Sequence, residues 1–156
     1  MSRYNAEHYP DPTAQNALRA VERDKSEALP VQITLRGVPH TKKNSQRILR
    51  GTGGRRYVAP SETYMEYERA CLYQIRRPRR AIAEPVNVRC LYYMPDHRRV
   101  DLVNLLEATD DILVRAGVLA DDRSTIVAGH DGSRVLCDKA RPRVEVEIER
   151  MDKELR

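Results

Sequence analysis

A chain of 156 residues can enclose one hydrophobic core but is too short for two full domains. It is 40% hydrophobic and 33% charged, with no Trp and no Phe, so Val, Ile, Leu and eight Tyr must supply the large core side chains. No apolar run approaches the roughly 20 residues that span a bilayer, and the opening MSRYNAEHYPDPT lacks the apolar stretch of a secretory signal, so a cytoplasmic protein with no membrane association is expected.

The net charge of +5 conceals an asymmetry. Residues 36–99 carry 15 Lys/Arg against 5 Asp/Glu, whereas residues 100–156 carry 9 against 13. A basic half followed by an acidic half suits a protein that grips a polyanion with one region and holds cations with another. An evenly solvated surface that merely clusters in sequence is the plainer alternative. Cys71, Cys90 and Cys137 are odd in number and scattered, with no C-x-x-C pair and no His at ligand spacing. They read as small apolar side chains in a reduced compartment, which argues against a disulfide framework or a zinc site.

Residues 1–29 form a polar arm in which Thr13 to Glu27 can make a modest helix. From Val31, alternation of Val31, Ile33 and Leu35 with polar residues predicts a half-buried strand ending at Gly37. A long basic loop follows, with Lys42, Lys43, Arg47, Arg50, Arg55 and Arg56, and with Gly51, Gly53 and Gly54 loosening its tip. Ser61 is the expected N-cap of a helix that presents Tyr64, Tyr67, Cys71 and Ile75 on one face and stops near Arg77-Pro78. The cluster Arg76, Arg77, Arg79 and Arg80 lies at that helix end. A strand is predicted from about Pro85 to Met94, with Val86, Val88, Cys90 and Tyr92 on one side. A basic turn then leads into a second helix over 101–116, for which Gly117 is the C′ residue. Short strands are expected around Ile126 to Ala128 and after Pro142, where Val144, Val146 and Ile148 alternate with Glu145, Glu147 and Glu149. The order predicts an α+β domain over 30–151, a small mixed β-sheet with helices packed on one face and a wetter opposite face, followed by a tail over 152–156.

The helix over 101–116 carries the candidate chemistry. Leu102, Leu105, Leu106, Ile112, Leu113 and Ala116 make an apolar stripe, while at about 100° per residue Asp101, Asn104 and Asp111 fall on the other side with Glu107 beside them. Asp121 and Asp122 follow in a turn, and their carboxylates meet Asp101 if the chain folds back alongside it. Mg²⁺ takes hard oxygen ligands, and two or three carboxylates with waters suffice to hold it. Plainer readings stand beside this one. Asp101 is a natural helix cap, Asp121-Asp122 suits an ordinary turn, and Glu107, Asp110 and Asp111 suit a solvated face with Asp111 pairing to Arg115. Spacing alone leaves both readings open.

The ordered run Met94-Pro95-Asp96, Arg98-Arg99, Asp101-Leu102-Val103-Asn104-Leu105, Asp111, Gly117 and Leu119-Ala120-Asp121-Asp122 closely resembles the RusA family of Holliday-junction resolvases. Upstream, Gly37-Val38-Pro39, Lys42-Lys43-Asn44-Ser45, Tyr57 and Pro60 also look like the family's pattern, so the resemblance covers roughly residues 31–150. It implies a RusA-like fold, a homodimer, branched DNA such as four-way junctions as partner, and Mg²⁺ as cofactor with Mn²⁺ as a substitute. It also makes a phage or prophage origin plausible. By the same resemblance Asp101 and Asp122 are the expected metal ligands, with Asp121 next, and Asn104 and Asp111 stand behind them. The sequence departs from the family at two places: Val103 stands where a second Asp is frequent, and Glu107 where a Lys is common. Glu107 lies about one turn after Val103, and its carboxylate is the candidate replacement in the metal shell.

The expected reaction is phosphodiester hydrolysis by metal-activated water, made as paired symmetric nicks. Lys42, Lys43, Arg47, Arg55, Arg56, Arg98 and Arg99 are the candidate phosphate contacts. His40, His97 and His130 read as structural or DNA-contacting rather than as ligands. Two other classes fit the residues less well. One is a catalytically silent branched-DNA-binding protein of the same fold, and the other a module whose basic loop binds RNA or a protein.

Overall fold

The computed structural model describes residues 29–43 and 47–151. The expected helix over Thr13–Glu27, most of the 1–29 arm, Asn44-Ser45 and the 152–156 tail lie outside those residues. Leu29 itself packs against the core.

The chain order is β1 (Val31–Arg36), β2 (Arg47–Arg50), β3 (Arg56–Ala59), α1 (Glu62–Gln74), β4 (Val86–Met94), α2 (Leu102–Arg115), β5 (Val127–Gly129), β6 (Arg134–Cys137) and β7 (Arg143–Arg150). β7 lies antiparallel between β1 and β4, in the registers Val31↔Ile148 and Val88↔Ile148. The other edge of β4 takes two parallel partners in turn, β5 at Val86 and β6 along Leu91–Met94. The sheet is therefore mixed, and the fold is α+β as the pattern predicts.

Strand periodicity decides which face is covered. Val86, Val88, Cys90 and Tyr92 of β4 are fully buried with Val144, Val146 and Ile148 of β7, and they meet Tyr64, Tyr67 and Cys71 of α1 and Leu105, Ile112 and Leu113 of α2. Burying each of the larger aliphatic side chains contributes about 1.5–3 kcal/mol, and truncating Ile112 to Ala would cost about 2–5 kcal/mol. One polar thread crosses this core. The Tyr92 and Thr109 hydroxyls lie 2.7 Å apart, and Thr109 donates to the Leu105 carbonyl at 2.9 Å. The opposite face is wet. There Arg89 pairs with Glu147, and Arg143 pairs with Glu145 at 2.7 Å while stacking on the Tyr93 ring.

α1 starts at its expected cap but stops at Gln74, short of the expected Arg77-Pro78, with Ile75 already extended, whereas α2 ends at the expected Gly117. The Ser61 hydroxyl accepts from Tyr64 N at 3.1 Å, capping α1. α2 closes with Gly117 at φ +75°, Gly117 N donating to Val114 O and Val118 N to Leu113 O, so the last carbonyls of the helix are satisfied.

Three further expectations need correction. The basic loop is not irregular throughout, because β2 and β3 form a two-stranded ribbon in the register Ile48↔Val58, turned at Gly51–Arg55. β6 is a strand that the sequence pattern does not predict, and its four residues show no alternation of burial. Cys137 is exposed, unlike the buried Cys71 and Cys90.

Candidate active site

α2 and the segment that follows β1 frame the acidic residues singled out by the sequence. Asp101 is the N-cap of α2. Its Oδ1 accepts from Val103 N at 2.9 Å and Asn104 N at 3.4 Å, and its Oδ2 accepts from the Asn104 side-chain amide at 3.1 Å. The plain capping role and a ligand role thus coincide on one exposed carboxylate, and Asn104 fixes its plane. Val103, one turn before Glu107, is 68% exposed.

Two consecutive lysines face this helix. Lys43 donates to Glu107 Oε2 at 2.7 Å. That bond, with the charges of Glu107 and Asp101, raises the Lys43 pKa, so its ammonium stands in the field of both carboxylates. Lys42 pairs with Asp111 and lies 5.9 Å from the Tyr64 ring centroid. The alternative pairing of Asp111 with Arg115 is not formed. Arg115 instead reaches Glu68 of α1 at 2.5 Å.

After α2 the chain turns back far enough for Asp122 to feel Asp111. Asp121 Oδ1 accepts from Asp122 N at 2.8 Å and Arg123 N at 3.3 Å, and Arg123 pairs with Asp121 Oδ2 at 2.9 Å. Asp122 holds its proton more tightly than an ordinary aspartate, first through a hydrogen bond shared with Asp121, then through partial desolvation and the charges of Asp111 and Asp121. Among the described residues no three His, Cys, Asp or Glu side chains converge as a ready metal cluster. Asp122 therefore lies beside Asp121 and within the field of Asp111, while Asp101, Asn104, Glu107 and Lys43 form a second group along α2, with Lys42 on Asp111 and Lys43 on Glu107.

The candidate phosphate contacts divide by how their donors are occupied. Arg98 is folded onto Asp96, Nε to Oδ1 at 2.7 Å and Nη2 to Oδ2 at 2.6 Å. These bonds push the Asp96 carboxyl down to about 2. Arg47 pairs with Glu62 at 3.0 Å and is only half-exposed. Arg55, Arg56 and Arg99 are exposed. His40 packs edge-on to Tyr67 with centroids 5.7 Å apart, and burial followed by the charge of Arg98 lowers its pKa. At the far end of α1, Arg76, Arg77, Arg79 and Arg80 border a groove of about 600 Å³ beside β1.

Sequence reasoning missed one pair outright. Asp110 is buried and takes His130 Nε2 at 3.0 Å, so it does not belong to a solvated face. The signal was present, because Asp110 falls between Leu106 and Leu113 on the apolar stripe, where an unpartnered carboxylate is costly.

Comparison with known proteins adds one match. A family model described as Endodeoxyribonuclease RusA matches residues 36–149, which takes in β1's end, both helices and every acidic residue discussed above. A comparison with curated proteins gives no match. The chain belongs to the RusA family of endodeoxyribonucleases.

Proposed function

We propose that this chain is a Mg²⁺-dependent, structure-specific endodeoxyribonuclease that resolves Holliday junctions or other branched DNA by paired symmetric nicks. The observation that carries the reading is the placement of Asp122 beside Asp121 and within the field of Asp111, inside the RusA match over residues 36–149. Carboxylates that repel one another in this way gain from a divalent cation between them. The donor set, hard oxygens throughout, fits Mg²⁺, with Mn²⁺ as a substitute. Asp101 and Asp122 would hold it, aided by Asp121 and by Glu107 in place of the family's second aspartate.

When bound, such an ion supplies an activated water and neutralises charge on the scissile phosphate. The chain's own residues do the rest. Asn104 holds the Asp101 carboxylate in one orientation. Lys42 and Lys43 place two ammonium groups beside the acidic edge, where they limit repulsion between those carboxylates and the phosphate. Arg55, Arg56 and Arg99, which meet no carboxylate among the described residues, offer donors for backbone phosphates, which position DNA without reading its sequence. A homodimer would present two such sites to the two strands of a junction. Light scattering that showed only monomer while paired nicking persisted would remove that element.

A second reading is a catalytically silent binder of branched DNA. It is favoured by the exposed Val103 and by the absence of a three-carboxylate cluster among the described residues. Incubation of a labelled synthetic four-way junction with Mg²⁺ and with EDTA separates the two. Paired nicks that vanish in EDTA support the nuclease, whereas binding without nicking in either Mg²⁺ or Mn²⁺ supports the silent binder.

A further inference from the structure

The β2–β3 ribbon has two unlike sides. On one side Arg47, Leu49 and Ala59 are half-buried beside Tyr57, which is 52% exposed, and Arg47 anchors this side to Glu62 at the start of α1. Ile48, Arg50, Arg56 and Val58 share the other side, since Ile48 is opposite Val58 and Arg50 opposite Arg56. That side is open to solvent, with Ile48 68% and Val58 61% exposed and both arginines exposed. Arg50 and Arg56 meet no carboxylate among the described residues.

Neither cross-strand pair makes sense for the isolated chain. Like charges directly opposite each other destabilise a ladder. A two-stranded ribbon is already marginal in water, and its exposed Ile/Val pair leaves apolar surface uncovered. A polyanion with apolar surface between its charges resolves both problems at once. Duplex DNA has that chemistry: phosphates line the walls of its grooves, and base edges, thymine methyl groups included, form the floor. Its major groove, about 12 Å wide, admits a two-stranded β-ribbon.

We propose that the solvent-facing side of this ribbon docks in a groove of a duplex arm, with Arg50 and Arg56 on phosphates and Ile48 and Val58 against the base edges. The assignment rests on the DNA-binding part of the proposed function and deepens it. It separates Arg56 and Arg50, which face the DNA, from Arg47, which serves the ribbon's attachment. The glycines at the turn, Gly53 and Gly54 at φ +88° and +77°, keep the tip free of side chains that would obstruct entry into a groove.

The test is equilibrium binding of the full chain to a fluorescent duplex-armed junction in EDTA, across a range of salt. Each phosphate neutralised contributes about 0.9 to the slope of log K against log salt. Arg50→Gln/Arg56→Gln should therefore lower the slope by about 2. Ile48→Thr/Val58→Thr, which retains β-branched residues for the strands, should weaken binding several-fold at an unchanged slope. Hydrogen exchange on the unmutated protein gives a second readout, with the ribbon amides between 47 and 59 exchanging more slowly when DNA is bound. If the unmutated chain binds no DNA, the proposed function falls and the ribbon assignment with it. If it binds junctions, the Arg50/Arg56 variant keeps the full slope and the ribbon amides exchange at their free rate, the ribbon assignment alone is overturned.

Discussion

His130 lies between two acceptors, with Nε2 3.0 Å from Asp110 Oδ2 and Nδ1 2.8 Å from the Val88 carbonyl, an arrangement that favours the protonated ring beside a buried carboxylate. The pair ties the middle of α2 to β4 and to the turn after β5. Burial opposes the charged ring, but the bond and charge of Asp110 and the Val88 carbonyl outweigh it, leaving the His130 pKa raised. A raised folded-state value stabilises fully below the unfolded value of about 6.5, and that stabilisation is lost as pH climbs through the folded value. The thermal midpoint should therefore fall from about pH 6.5 upward and respond less in His130→Gln. At acid pH that variant should be about 1–3 kcal/mol less stable. A His130→Gln midpoint with the same pH profile as the unmutated chain would contradict this.

Arg115→Met leaves the Glu68 carboxylate, only 10% exposed at its side chain, with the Tyr64 hydroxyl at 3.4 Å as its remaining partner. Removing one member of such a pair strands the other, so a loss of about 2–4 kcal/mol is expected in urea unfolding. The double variant Glu68→Leu/Arg115→Met should recover part of it, because no charge is then left buried. A double variant less stable than the single one would show that the pair's value lies elsewhere.

The two neighbouring arginines before α2 should behave differently toward DNA. Arg98 has Nε and Nη2 on Asp96, whereas Arg99 meets no carboxylate among the described residues. Arg99→Ala is expected to lower the salt slope of junction binding by about 1, and Arg98→Ala to leave it nearly unchanged. Equal slopes for the two variants would mean that Arg98 leaves Asp96 when DNA binds.

The Lys43–Glu107 pair is about half exposed at both side chains. Its loss should change stability little, because solvent screens an exposed pair. Glu107→Gln therefore isolates function. If Glu107 replaces the carboxylate absent at Val103, the variant should need a higher Mg²⁺ concentration for half-maximal nicking at an unaltered thermal midpoint. Nicking with an unchanged Mg²⁺ requirement would remove Glu107 from the metal shell.

What could be read from the sequence was local and periodic. The alternation at Val144, Val146 and Ile148, the stripe from Leu102 to Ala116, the Ser61 and Asp101 caps and the Gly117 terminus all follow from spacings within one element. The ribbon reads as a loop in the sequence because it buries neither face deeply, so its alternation carries no strong hydrophobic signal. β6 joins the sheet through pairing with Leu91–Met94, more than forty positions back in the chain, and no short-range pattern announces such a partner. The same limit applies to the site. The acidic residues were legible as a helix face and a turn, yet the lysines that hold them, Lys42 on Asp111 and Lys43 on Glu107, are 69 and 64 positions away.

The most direct test of the central claim compares junction binding with junction nicking in Asp101→Asn and Asp122→Asn. Asparagine caps a helix about as well as aspartate, so Asp101→Asn should fold normally, and Asp122 lies in an exposed turn. The account predicts that both variants bind a four-way junction as tightly as the unmutated chain and no longer nick it in Mg²⁺. Nicking at the unmutated rate in Asp122→Asn would contradict a carboxylate-held metal at this site.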